Sequence, residues 1–129
     1  MQVPAFFALR GELGAGKSVL ARAIARGAGV TNLMPSPTFN LLFRYRAARG
    51  IDVVHLDLYR IEQPEDVFEL GWRELGDGPE LVLVEWPERA EELLPSDRWD
   101  IRLETVGPET RRVSARAHGA AGPIPQPQA

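Results

Sequence analysis

Gly11-Glu12-Leu13-Gly14-Ala15-Gly16-Lys17-Ser18 satisfies G-x-x-x-x-G-K-[ST], the pattern of a loop that cradles phosphates. Glycines let the backbone adopt dihedrals closed to other residues and turn successive N–H groups toward one anion. A helix starting where the loop ends adds the positive end of its dipole. Within this pattern Lys17 is the side chain that reaches the β- and γ-phosphates, and the Ser18 hydroxyl ligates Mg²⁺. The chemistry indicated is that of a nucleoside triphosphate.

Phosphoryl chemistry also needs a metal holder opposite Ser18, which in an open α/β sheet lies at the carboxyl end of a strand beside the loop. Glu85 follows the apolar run Leu81-Val82-Leu83-Val84, and Asp57 ends Val53-Val54-His55-Leu56-Asp57. Alternation along the second run puts His55, Asp57 and Tyr59 on one face and Val54, Leu56 and Leu58 on the other, so three polar groups face one site. Taken alone, each acid reads as a solvated strand-end residue and His55 as a structural histidine rather than a base. The phosphate loop shifts the acids toward function. Asp57 then either orients the attacking water or holds the metal through a water. Arg60 and Arg89 are candidates to stabilise transition-state charge, on a chain where surface Arg is abundant. Trp86 reads as core or as a cover over the nucleotide, and Ser36-Pro37-Thr38 equally as a switch sensing the γ-phosphate or as a turn.

The elements that must position these groups follow from pattern. Phe6 to Arg10 reads as a buried strand entering the glycine turn, and Ser18 to Arg26 as a helix with Leu20, Ala23 and Ile24 on one face, stopped by Gly27 and Gly29. Phe39 to Tyr45 and Ile51 to Leu58 read as an antiparallel hairpin, and Pro64 to Gly71 as a short helix with Glu65 and Asp66 in its first turn. Leu81 to Val84 is too short and apolar for a helix and reads as a buried strand. Trp99 to Thr105 and Arg111 to Ala117 supply two more strands around a Gly-Pro turn. The fold class is α/β, a P-loop NTPase-like mixed β-sheet flanked by helices in a single domain over residues 1–117. Residues 118–129, rich in Gly, Ala, Pro and Gln, read as a disordered tail.

Composition bounds the remainder. The 129 residues carry 15 basic and 18 acidic groups for a net charge of −3, with no Cys and 44 % apolar residues. That describes one globular domain and removes thiolate catalysis, Cys-ligated metals and disulfides together. Mild acidity argues against holding a nucleic-acid backbone by bulk charge, so a nucleic-acid partner has to come through other subunits or a small patch. The apolar run from Val3 to Leu9 is far short of the roughly 20 residues of a membrane span, and no basic region precedes it; a cytoplasmic location is the expectation. Of the 15 basic residues fourteen are Arg, and the single Lys is Lys17.

Taken together, Leu13-Gly14-Ala15-Gly16-Lys17-Ser18, Ser36-Pro37-Thr38-Phe39, His55-Leu56-Asp57-Leu58-Tyr59-Arg60 and Val84-Glu85-Trp86-Pro87-Glu88-Arg89 resemble, in order and approximate spacing, the TsaE (YjeE) family. These are small P-loop ATPases of bacterial tRNA threonylcarbamoyladenosine synthesis. The resemblance covers residues 6 to 105 or so, and the last two motifs make it specific. It implies Mg²⁺-dependent ATP hydrolysis, slow in isolation and stimulated by partners, that supports threonylcarbamoyl transfer to adenosine 37 of tRNAs reading codons that begin with A. The ATPase acts on the TsaB–TsaD pair and meets tRNA only through that complex. Carried over residue by residue, Leu13 to Ser18 and Val19 match the nucleotide cradle, Ser18 and Glu85 the Mg²⁺ ligands, Asp57 the acid required for hydrolysis, Thr38 the switch segment and Trp86 the Trp adjoining the nucleotide. Val19 departs from the Thr or Ser common there, leaving its backbone N–H for the α-phosphate. A further strand and helix usually precede the loop strand in this family, whereas ten residues precede Gly11, so either an N-terminally shortened domain or a misassigned start is expected. Two other readings share the phosphate loop: a small kinase of a metabolite, which needs an acceptor pocket and a lid, and a nucleotide-dependent interaction module in which Glu85 and Asp57 are only structural.

Overall fold

A computed structural model describes residues 5–12, 14–30, 42–47 and 50–119 of the chain. Strand β1 (Ala5–Arg10) leads through the glycine turn into helix α1 (Lys17–Gly27). The hairpin β2 (Leu42–Arg46) and β3 (Asp52–Asp57) follows, then β4 (Glu80–Glu85) and a terminal pair, β5 (Arg98–Thr105) and β6 (Arg111–His118). The six strands form one sheet in the order β2-β3-β4-β1-β5-β6. Its centre is parallel, β3 with β4, β4 with β1 and β1 with β5, and each edge is closed by an antiparallel strand. The mixed α/β sheet expected from the alternating pattern is thus observed.

Parallel strands are covered on both faces and read as unbroken apolar runs; every residue of β4 is buried. One face packs Phe7, Leu9, Val53, Leu81 and Leu83 under α1. The other packs Ala8, Val54, Leu56, Val82 and Val84 against 3₁₀ turns at Pro64–Leu70, Trp72–Glu74 and Pro87–Leu93. The predicted alternation of β3 holds, with Val54 and Leu56 opposite His55 and Asp57.

Two local expectations are corrected and one is refined. Ala23 is exposed; the buried line of α1 is Lys17, Ala21 and Ala25, flanked by Leu20 and Ile24, because small residues let the helix axis lie close to the sheet. The short helix read from Pro64 to Gly71 is observed, in 3₁₀ form: Asp66 Oδ2 accepts from the Gln63 N–H at 3.1 Å, and a left-handed Gly71 ends the segment after seven residues. Strand β6 runs to His118, one residue past the strand end read at Ala117, and there its Nε2 lies 2.9 Å from Asp100 Oδ2. A cross-strand contact of this kind leaves no mark in composition. The Phe39 to Leu41 part of the first hairpin strand and residues 120–129 lie outside the described residues.

The topology gathers the loop and both acids at one edge. Asp57 and Glu85 are register partners at the carboxyl ends of β3 and β4, and Leu9, one residue before the end of β1, pairs with Glu85. The Leu58 N–H donates to the Glu85 carbonyl at 3.1 Å, extending the ladder just past the acids.

Candidate functional site

The loop is shaped by backbone demands that only glycine meets. A Cβ on Gly11 would lie 2.7 Å from the Leu103 carbonyl oxygen, so β5 leaves room for hydrogen alone there. Gly14 and Gly16 have φ of 83° and 103°, in the left-handed region. Gly16 caps α1 without a side-chain hydrogen bond, so the first-turn N–H groups point into the loop, the arrangement that receives an anion. Ala15 is buried and its N–H donates to the Glu12 carbonyl at 3.0 Å.

Lys17 is 5 % exposed, although it carries the loop's only positive charge. Its Nζ donates to the carbonyls of Gly11 and Glu12 and sits 3.6 Å from the centroid of the Trp86 ring. Burial pushes its pKa below the ordinary value, while the carboxylates of Glu88, Glu85 and Asp57 push it back. The ammonium is therefore poised over the loop with carbonyl partners that a phosphate oxygen can replace.

Opposite it, Ser18 Oγ donates to Glu85 Oε1 at 2.9 Å, and the other carboxylate oxygen, Oε2, lies 2.6 Å from His55 Nε2. Glu85 is 2 % exposed. A hydroxyl and a carboxylate in contact, with the Asp57 carboxylate on the neighbouring strand, are hard oxygen donors suited to Mg²⁺. Among the described residues no three His, Asp or Glu side chains converge as a protein-only cage. Mg²⁺ ordinarily keeps several waters and takes one or two carboxylates plus substrate phosphates.

Trp86 has φ 58° and ψ 49°, the one non-glycine among the described residues with positive φ. A bulky residue in the left-handed region is costly and is held there by its surroundings. Pro87 follows it, the Tyr59 ring leans on it at 5.0 Å between centroids, and Arg89 lies over Tyr59 at 5.6 Å. The 3₁₀ turn that begins at Pro87 is clamped to the sheet by Arg10, whose guanidinium donates to Glu91 at 2.6 and 2.8 Å and to Asp100 at 2.9 and 3.1 Å. This clamp is invisible in the sequence, since its partners stand 81 and 90 positions away.

A cleft of about 370 Å³ joins these groups: Gly14, Gly16, Lys17, Ser18 and Val19 on the loop side, Asp57, Tyr59, Glu85 and Trp86 on the other. Val19 is 63 % exposed and its side chain presents only methyl groups to the cleft. Leu13 and the Ser36-Pro37-Thr38 segment lie outside the described residues. Sequence reasoning placed His55 on the right face without identifying Glu85 as its partner, and assigned Tyr59 no role although it flanks Trp86.

Burial pushes the Asp57 carboxyl above the usual carboxylate range; the Tyr59 N–H opposes this and the charge of Glu85 adds to it. The folded chain therefore keeps this proton to a higher pH than the unfolded chain does, and stability falls as pH rises from 3.8, the ordinary value, through the raised one. Asp57→Asn is expected to melt above the wild type at neutral pH without nucleotide, and this advantage should shrink as the pH is lowered toward 3.8. Melting curves of the two chains across that range check it, and a pH-independent difference would contradict it.

The family model "Threonylcarbamoyl adenosine biosynthesis protein TsaE" matches residues 1–113. A Bacillus subtilis protein named tRNA threonylcarbamoyladenosine biosynthesis protein TsaE is 35 % identical over 111 residues, covering 86 % of this chain and 68 % of the relative. Its namesake in Rickettsia conorii is 39 % identical over 107 residues, covering 82 % of this chain and 60 % of the relative. The chain thus spans about two thirds or less of the length of these relatives. The crystal structure of Bacillus subtilis YdiB superposes with a TM-score of 0.71 at 29 % identity, over 89 % of this chain and 69 % of that one.

Proposed function

This chain belongs to the TsaE family of threonylcarbamoyl adenosine biosynthesis proteins, and from that membership and the shape of its cleft we propose that it binds ATP with Mg²⁺ and hydrolyses it in the service of tRNA threonylcarbamoylation. The partners proposed are TsaB and TsaD, with tRNA reached only through them, and the setting is the cytoplasm. No helix among the described residues is long and apolar enough to cross a membrane.

The observation that carries the reading is the contact of Ser18 Oγ with Glu85 Oε1 at 2.9 Å, directly beneath a glycine loop whose lysine is buried over it. In this arrangement the loop N–H groups and the first turn of α1 hold the β- and γ-phosphates, and Lys17 bridges their oxygens. Ser18 and Glu85 are the groups that would hold Mg²⁺, which when bound neutralises charge on the β- and γ-phosphates. Asp57, half-buried at the end of β3, orients the attacking water or meets the metal through one. Trp86 covers the site and limits access of bulk water. Catalysis of this type is positioning plus charge stabilisation, and no covalent step falls to the protein. Arg89 lies over the Tyr59 ring, and with no transition-state arginine, a group worth about 10³–10⁵ in rate, assigned within the cleft, slow intrinsic turnover is the expectation. Thr38 is proposed to sense the γ-phosphate.

The test is Mg²⁺-dependent ATP hydrolysis by the purified chain alone and with TsaB–TsaD. Slow turnover that rises when the pair is added supports the proposal. Absence of both ATP binding and stimulation would remove it, and transfer of phosphate to a metabolite with little loss to water would put a kinase in its place.

A further inference from the structure

We infer that His55 is a positioning residue that fixes the Glu85 carboxylate for the metal, an inference that rests on the proposed ATP–Mg²⁺ reading of the cleft. His55 is fully buried, and its Nε2 lies 2.6 Å from Glu85 Oε2 while Ser18 Oγ holds Oε1 at 2.9 Å. Each carboxylate oxygen thus has its own partner. Among the described residues no Lys or Arg pairs with Glu85, so the imidazole is the group that fixes its inner oxygen. The last torsion of a glutamate is broad and roughly two-fold, and two contacts on separate oxygens are what reduce it to one orientation.

The sheet register explains the reach. His55 pairs with Leu83, and Glu85 stands two residues further along β4 on the same face, so the ring spans the diagonal between parallel strands. Asp57, directly opposite Glu85, faces the cleft instead. The cost of the arrangement is visible at the other ring nitrogen: Nδ1 is buried without a hydrogen-bond partner among the described residues. A histidine retained only for packing would have both nitrogens satisfied or would be replaced by an apolar residue; one left half-satisfied calls for another reason. With the proton on Nε2 the ring donates to the carboxylate, and the orphaned Nδ1 is a bare lone pair, the less costly group to bury unpaired. Groups that orient a metal-binding side chain in this way are typically worth about 10–100-fold in metal affinity.

Three variants of the full chain separate tethering from packing. The amide nitrogen of His55→Gln falls where Nε2 stood and can still donate to Glu85, that of His55→Asn falls near Nδ1 and cannot, and His55→Leu has no donor. ADP binding is followed by calorimetry in EDTA and across a Mg²⁺ titration, with circular dichroism on every chain. The expected result is unchanged ADP affinity in EDTA for all folded variants. The Mg²⁺ concentration for half-maximal enhancement of binding should rise about 10–100-fold in His55→Leu and His55→Asn, and His55→Gln should stay within a few-fold of wild type. Should His55→Leu fail to fold, the contrast between Gln and Asn decides. Equal Mg²⁺ requirements in wild type, Asn and Leu chains, or a folded Gln chain that behaves like Asn, would overturn the tether alone. A wild-type chain that binds no ADP would overturn the nucleotide reading and the tether with it.

Discussion

Lys17→Arg is expected to cut ATP turnover by about 100–1000-fold, the range seen when a single preorganised charge donor is removed from a reaction centre, even though it conserves the charge. The stem of Lys17 is buried beneath the loop and its ammonium is confined between the carbonyls of Gly11 and Glu12 and the face of Trp86. An ammonium is compact and turns its three protons toward whichever oxygens surround it. A guanidinium is planar, presents a fixed fork and is bulkier. To fit, Arg would have to displace Trp86, which is already held at positive φ between Tyr59 and Pro87, or leave the loop altogether. The composition sharpens the point. This chain uses Arg for fourteen of its fifteen basic residues, so the one Lys stands where the substitution favoured everywhere else is chemically excluded. Single-turnover hydrolysis and ATP calorimetry on Lys17→Arg, beside circular dichroism, provide the check. A folded variant that hydrolyses ATP at the wild-type rate would show that the loop does not work through this amine.

The residues behind that prediction were legible because they act locally. A strand, a glycine turn and a helix are contiguous in the chain, and their chemistry depends on spacing within Gly11 to Ser18. Period-two alternation likewise put His55 and Asp57 on one face of β3. What pattern could not supply was the pairing of strands. Glu85 meets Ser18 and His55 only because β4 lies between β3 and β1, an order set by tertiary packing. Trp86 was ambiguous for the same reason, since its left-handed backbone is imposed by the turn into Pro87 and by the Arg10 clamp on the following segment. Ala23 was misplaced because apolarity alone cannot distinguish an alanine that lets a helix approach a sheet from one facing solvent.

Glu85→Gln is expected to move activity and stability in opposite directions. Its carboxylate lies 2 % exposed, with a serine hydroxyl and an imidazole as its only contacts within hydrogen-bond distance among the described residues. Burying a carboxylate carries a desolvation cost that a neutral isostere avoids. The amide of Gln keeps both contacts: its oxygen accepts from His55 Nε2, and its nitrogen donates to Ser18 Oγ, whose own proton can rotate away. The variant should therefore melt at or above the wild-type temperature, with a gain on the order of 1 kcal/mol or a few degrees. The amide nitrogen, however, turns toward Ser18 a donor where a cation needs a lone pair, and the negative charge that would offset Mg²⁺ is gone. Hydrolysis is expected to fall by about 100-fold or more, and Mg²⁺ should no longer strengthen nucleotide binding. Such opposed shifts are expected where a strained or charged site is maintained for function at the expense of the fold. Differential scanning calorimetry without nucleotide, paired with Mg²⁺-dependent ADP binding, reads both quantities on one sample. A variant that loses stability while retaining its Mg²⁺ response would mean that Glu85 holds the sheet edge together and that the metal is held elsewhere.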